Sequence, residues 1–121
     1  MKPKGRHITL DYSGFKGSGN WVLSILQSAV SRSKAREVHA HVEQFDGTKS
    51  PPGFAAVVLI DESHVSAHCY ADEGILAVDC FTCGGVDPAL IADDIHGQLT
   101  AAIPSIKLIQ RTELDRFVME G

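Results

Sequence analysis

The chain has 121 residues, enough for one domain with one core. Hydrophobic residues make up 44% and charged residues 21%, the balance of a globular protein rather than a disordered one. A net charge of −4 offers no basic face for phosphate, which argues against a nucleic-acid partner, and no apolar run is long enough for a membrane span. Three cysteines, an odd number, suit a reducing cytoplasm better than a disulfide framework. The basic start, Met1-Lys2-Pro3-Lys4-Gly5, runs into a polar strand pattern and does not read as a signal peptide.

Arg6–Tyr12 alternates polar and apolar residues, as a half-buried strand does. Gly14, Gly17 and Gly19 end it. From about Asn20 to Ala35, Val22, Leu26, Ala29 and Val30 recur at helical spacing, with Ser18 or Asn20 as the cap. Glu37–Phe45 alternates again, with Val38, Ala40 and Val42 on one face and His39, His41 and Glu43 on the other. Asp46-Gly47 and Pro51-Pro52-Gly53 mark a loop.

Phe54–Ile60 is apolar at every position, so this strand needs cover on both faces. His64–Tyr70 and Ile75–Cys83 are two more strands, turned at Asp72-Glu73-Gly74. Asp87 caps a second helix that runs to about Ala102, with Pro88 at its first position. Pro104–Thr112 is a last strand, and the pattern fades after Glu113. Tight turns between consecutive strands mean antiparallel pairing. The expected fold is α+β: a two-layer sandwich of a mainly antiparallel sheet with two helices on one face, as a single domain over residues 1–121.

One face of Phe54–Ile60, carrying Phe54, Ala56, Val58 and Ile60, packs under the helices. The other, with Ala55, Val57 and Leu59, is bare, and Val65, Ala67, Leu76 and Val78 are expected to extend it. A bare apolar sheet face marks an interface. A homodimer stacking two such faces into a four-layer αββα assembly is the economical cover.

Chemistry-bearing residues gather after the apolar strand. Ser63, His68 and Cys83 offer a hydroxyl, an imidazole and a thiol on neighbouring strands, a possible nucleophile, base and acid. Their spacing alone suits a turn serine and an ordinary half-buried histidine equally well. Cys80 and Cys83 form a CxxC whose members fall on opposite strand faces, unlike a redox pair at a helix start. His39 and His41 share a face but lack further ligands, so no metal site is expected. Asp93-Asp94 reads as the wet face of the second helix. Gly17 and Gly19 lack the following Lys-Ser/Thr of a phosphate-binding loop.

Asp61-Glu62-Ser63-His64-Val65-Ser66-Ala67-His68, with Ala77-Val78-Asp79-Cys80-Phe81-Thr82-Cys83-Gly84 after it, closely resembles the bacterial and archaeal S-adenosylmethionine decarboxylases. Gly5-Arg6-His7 is similar to their opening motif, and Pro51–Gly53 to the run before their central strand. The resemblance implies a proenzyme that cleaves itself between Glu62 and Ser63. Ser63 becomes a pyruvoyl group, the covalent cofactor, which holds the substrate amine as a Schiff base while carbon dioxide leaves. His68 matches the family's processing base and Cys83 its proton donor. Asp72 or Glu73 matches the acidic residue that binds ribose hydroxyls, and Tyr70 and His7 are the further expected substrate contacts. It also implies a homodimer with active sites near the interface.

The chain departs from the family in its His-Thr-Trp-Pro-Glu run, which here reads His68-Cys69-Tyr70-Ala71-Asp72, and at two further positions. Ala55 stands where a processing serine is usual, and Lys49 where an aromatic residue is usual. The expected function is S-adenosylmethionine decarboxylation for spermidine synthesis. The alternatives are the same cofactor acting on arginine or ornithine, or an unprocessed relative that binds or regulates without catalysis.

Overall fold

The computed structural model describes residues 3–120; the basic Met1-Lys2 start lies outside them. In chain order the elements are β1 (Gly5–Ser13), α1 (Gly19–Ser31), β2 (Glu37–Phe45), β3 (Gly53–Ile60), β4 (Ser63–Tyr70), β5 (Ile75–Cys83), α2 (Pro88–Ala102) and β6 (Lys107–Arg116). The strands form one antiparallel sheet in the order β2-β3-β4-β5-β1-β6. Both helices lie on one face, α1 against β2, β3 and β4, and α2 against β1 and β5. No helix among the described residues is long and apolar enough to cross a membrane.

Local chemistry sets the boundaries. Gly14 ends β1 in a left-handed backbone, and a Cβ there would collide with the Ser105 carbonyl oxygen, so only glycine fits. The Ser18 hydroxyl accepts from the Trp21 amide, and Asp87 accepts from the Ala89 amide, capping the two helices. Helix α1 stops at Ser31, short of the expected Ala35, because the Arg32 and Ser33 amides turn back onto the Ser28 and Val30 carbonyls. Strand β6 starts three residues later and runs four residues further than the sequence pattern indicates, since Pro104 and Ser105 are spent on a turn.

The core lies between helices and sheet. Ile8, Leu10, Val58, Val65, Ala67 and Val78 are at most 1% exposed. Each large aliphatic side chain buried there contributes about 1.5–3 kcal/mol. This corrects one expectation. Val65, Ala67, Leu76 and Val78 do not extend the bare face; they are buried under the helices with Ala56 and Val58. The reason is register: Val58 pairs with Val65, and Ala56 with Ala67, so all four share one side. A second correction is Val38, which stays 55% exposed although Ala40 and Val42 pack on the core, because the ladder slips between Glu37 and His39. The acidic pair on α2 is engaged rather than simply solvated. Asp94 takes a two-pronged Arg32 at 2.7 and 2.8 Å, and Asp93 takes Arg111 at 2.8 Å.

The uncovered face is therefore mixed, not apolar. Its central row runs His41, Val57, Ser66, Asp79, Thr9 and Thr112 across the sheet.

Candidate active site

Ile60 and Ser63 pair across the β3–β4 ladder, which leaves Asp61 and Glu62 as a two-residue turn. The Arg36 guanidinium clamps the Asp61 carboxylate with contacts of 2.6 and 2.9 Å, and the Asp61 amide donates to the Arg36 carbonyl. Glu62 is held in the left-handed region at φ +66°, a conformation that costs a side-chain-bearing residue about 1–2 kcal/mol. Ser63 follows at once. It shares the helix-facing side of β4 with Val65 and Ala67, and its hydroxyl is buried with no hydrogen-bond partner. A hydroxyl in that condition is costly unless something requires it.

A cavity of about 580 Å³ opens beside this turn, lined by Pro3, Lys4, Glu62, Cys83, Gly84 and Phe117. Cys83 reaches it from the last position of β5. Thr82 below donates its hydroxyl to the Val86 carbonyl at 2.8 Å, and the Gly84 amide reaches the Lys4 carbonyl, so the strand end is pinned on both sides. Cys80 is fully buried on the helix face, as the strand period implies. Burial pushes its thiol up to about 12, and the neighbouring Asp79 carboxylate adds to the shift. Cys69 is also raised by burial. Of the three thiols, Cys83 alone reaches the cavity.

On the open face beside this end lies a polar network. His7 Nε2 is 3.0 Å from Asp79 Oδ1, and Arg116 donates to His7 Nδ1 at 3.2 Å. An arginine only donates, so Nδ1 carries the lone pair and the proton sits on Nε2, facing the carboxylate. Ser66 reaches the other Asp79 oxygen at 3.5 Å. Phe81 anchors the group, with His7, His64 and Phe117 rings at 5.6–6.0 Å and the Arg116 guanidinium 5.5 Å above it. The His64 imidazole is held below its ordinary value by desolvation, against the pull of Asp79 and with a further push from His7.

The remaining expected residues lie elsewhere. His68 is five residues along β4 from Ser63, about 16 Å away, and on the opposite face. Its cross-strand partner is Ala55. Tyr70, Asp72 and Glu73 border a cavity of about 290 Å³ with Pro51 and Pro52, at that same far end. Lys49 lines a separate loop cavity with Phe45 and Thr48. One chain thus brings Glu62, Cys83 and, on the next open-face row, His7 to one end of the sheet, with Ser63 at the same end but turned toward the helices. It does not bring His68, Tyr70, Asp72 or Glu73 to them. Sequence reasoning missed Asp79, His64, Arg116 and Phe117. A lone carboxylate inside the apolar run of β5 was a usable signal for Asp79; Arg116 and Phe117 follow the point where the pattern fades and carried none.

The pinned turn with its strained residue, the orphaned serine and the thiol at the cavity sit within a stretch that known proteins share. Residues 6–112 match the family model described as S-adenosylmethionine decarboxylase. The chain belongs to that family. A relative from Symbiobacterium thermophilum, named S-adenosylmethionine decarboxylase proenzyme, is 33% identical over 112 residues, covering 88% of this chain and 82% of its own length. One of the same name from Pyrococcus horikoshii is 30% identical over 116 residues, covering 92% of this chain and 81% of its own. The crystal structure of the adenosylmethionine decarboxylase from Aquifex aeolicus superposes with a TM-score of 0.78 at 27% identity, over 99% of this chain and 96% of that one. Membership in the S-adenosylmethionine decarboxylase family makes the chain an enzyme, a carboxy-lyase.

Proposed function

We propose that the chain is a pyruvoyl-dependent S-adenosylmethionine decarboxylase of spermidine synthesis, which makes its own cofactor by cleaving the Glu62–Ser63 bond. The observation that carries this reading is the left-handed Glu62 joined to a buried Ser63 hydroxyl that has no partner. The residues fit a pyruvoyl group because the group is Ser63 itself, the residue after Glu62, which lines the cavity that holds Cys83.

Ser63 Oγ attacks the Glu62 carbonyl carbon through a five-membered ring. The new C–O bond replaces the C–N bond, and the hydroxyl proton passes to the freed Ser63 nitrogen. Relief of the Glu62 backbone strain favours this shift. Loss of the Ser63 α-proton then expels the ester oxygen as the Glu62 carboxylate. Water replaces the nitrogen of the dehydroalanine that remains, and ammonia leaves. The finished group supplies an electron sink for loss of carbon dioxide from an amino acid. Cys83 holds the proton returned to the substrate α-carbon. His7, fixed at both nitrogens, keeps the wall beside Phe81 in place.

His68 as processing base, and Tyr70, Asp72 and Glu73 as substrate contacts, require a second copy of the chain. Stacking two open faces about a two-fold axis, with the β4 strands reversed, carries the far end of one protomer to the Ser63 end of its partner. The homodimer is therefore part of this reading, and its interface is polar as well as apolar.

Intact mass tests processing. Two fragments are expected, divided after Glu62, with the second blocked at its start. A single full-length mass under conditions that support activity overturns the proposal. Release of labelled carbon dioxide from carboxyl-labelled S-adenosylmethionine, arginine and ornithine then identifies the substrate, with S-adenosylmethionine expected.

A further inference from the structure

Gly5 is the direct cross-strand partner of Cys83, and it is buried. Its backbone is not left-handed, so conformational freedom does not explain a glycine here. Space does. A Cβ on residue 5 would lie 3.0 Å from Phe81 Cε1, 3.3 Å from Cys83 Sγ and 3.3 Å from the Thr82 carbonyl oxygen. The thiol and the ring edge thus occupy the hole that the missing side chain leaves. The Cys83 backbone has no freedom to retreat, being held by the Thr82 hydroxyl on Val86 and the Gly84 amide on Lys4. The contrast with Gly85 and Gly97 is direct, because a Cβ on either would meet nothing within 4 Å.

We infer that Gly5 is a positioning residue for Cys83: its bare backbone is the seat that fixes the thiol rotamer toward the cavity. The inference rests on the function proposed above, in which the Sγ–H bond breaks as the substrate α-carbon uses its electron pair to form a C–H bond. Water then restores the proton to the thiolate. An added methyl group crowds the Phe81 edge at 3.0 Å and Sγ at 3.3 Å, and with the Cys83 backbone pinned the thiol must turn off its seat. Tyr70, Asp72 and Glu73 are not among the groups it meets, so the effect falls chiefly on proton delivery rather than on substrate binding.

The test is Gly5→Ala in the full chain, with Gly85→Ala as the control. The expected result is a kcat lower by about tenfold with KM nearly unchanged. Alkylation of Cys83 by iodoacetamide, selective because Cys69 and Cys80 are buried, should change by about threefold or more. The control should match the wild type in both. An active wild type whose Gly5→Ala variant keeps its kcat overturns the inference. A wild type inactive on all three substrates sinks the proposed function instead, and unchanged alkylation in Gly5→Ala then sinks this one. Should the variant fail to fold, the wild type still decides: Hα–Hβ couplings at Cys83 must report one χ1 rotamer, and averaged couplings refute the seat.

Discussion

Ala55 and His68 face each other across the β3–β4 ladder, on the uncovered side of the sheet. Ala55 therefore offers the His68 imidazole a methyl group and no polar partner across the ladder. Ala55→Ser should speed conversion to two fragments by about tenfold, within the range of a single added proton-transfer group. Stability should change by no more than about 0.5 kcal/mol, because the site is half-buried and the hydroxyl small. A time course of cleavage by intact mass measures it. An unchanged rate would mean that position 55 takes no part in processing.

Ser63→Ala should give an uncleaved, folded and inactive chain. It should also be more stable than wild-type proenzyme by about 1 kcal/mol, because it removes a buried hydroxyl with no partner. Urea unfolding of the two uncleaved forms checks the sign. Decarboxylation surviving in this variant would remove the pyruvoyl reading altogether.

Cys83→Ala should lower kcat by about a hundredfold and leave KM within a small factor. Cys80→Ala, in the core and facing away from the cavity, should cost about 1 kcal/mol of stability and leave turnover nearly untouched. Steady-state kinetics and thermal melts on both variants separate the roles. The reverse ranking would show that the wrong thiol has been assigned.

His64 should make the fold sensitive to mild acid. Its folded-state value lies below the ordinary 6.5, chiefly through desolvation, so the unfolded chain takes up the proton first as the pH falls. The corresponding stability is present above the unfolded value and is lost as the pH drops from there through the folded one. His64→Gln should flatten the stability profile between about pH 5 and 7. Asp79→Asn, which removes the one charge raising His64, should move its titration lower still in an NMR experiment. An upward movement would contradict the assigned cause.

Val57→Asp should break the proposed dimer. Val57 sits in the middle row of the open face, in line with Ser66 and Asp79. A second carboxylate there, in a stacked interface, would be buried without a partner. Sedimentation should show a monomer, and cleavage should stall because His68 of the partner subunit no longer reaches the turn. A stable wild-type monomer that processes itself would refute the shared site.

Much of this was legible in the sequence because parity along a strand is strict. Phe54, Ala56, Val58 and Ile60 are buried and Ala55, Val57 and Leu59 are not, as the alternation indicated. Parity does not say which face of one strand matches which face of the next. That depends on pairing, and the two-residue turn at Asp61-Glu62 sent Val65 and Ala67 under the helices. The site was legible as motifs and illegible as geometry. Ser63 and His68 are five apart, an odd number, so the same strand that joins them in sequence turns them to opposite sides. Arg116 and Phe117 reach the cavity end only because β6 continues past the point where its apolar alternation fades.

The sheet order has a consequence for what a cut at the β3–β4 turn leaves behind. One fragment would hold β1, α1, β2 and β3, and the other β4, β5, α2 and β6. Since β1 lies between β5 and β6, the first fragment is threaded between two strands of the second, in addition to the eight-pair seam of β3 on β4. Neither piece retains a continuous sheet, so neither is a folding unit by itself. The halves would stay interlocked after cleavage without any covalent link. Once unfolded, they would have to find each other in solution, so that recovery becomes second order in protein concentration where the uncut chain refolds in first order.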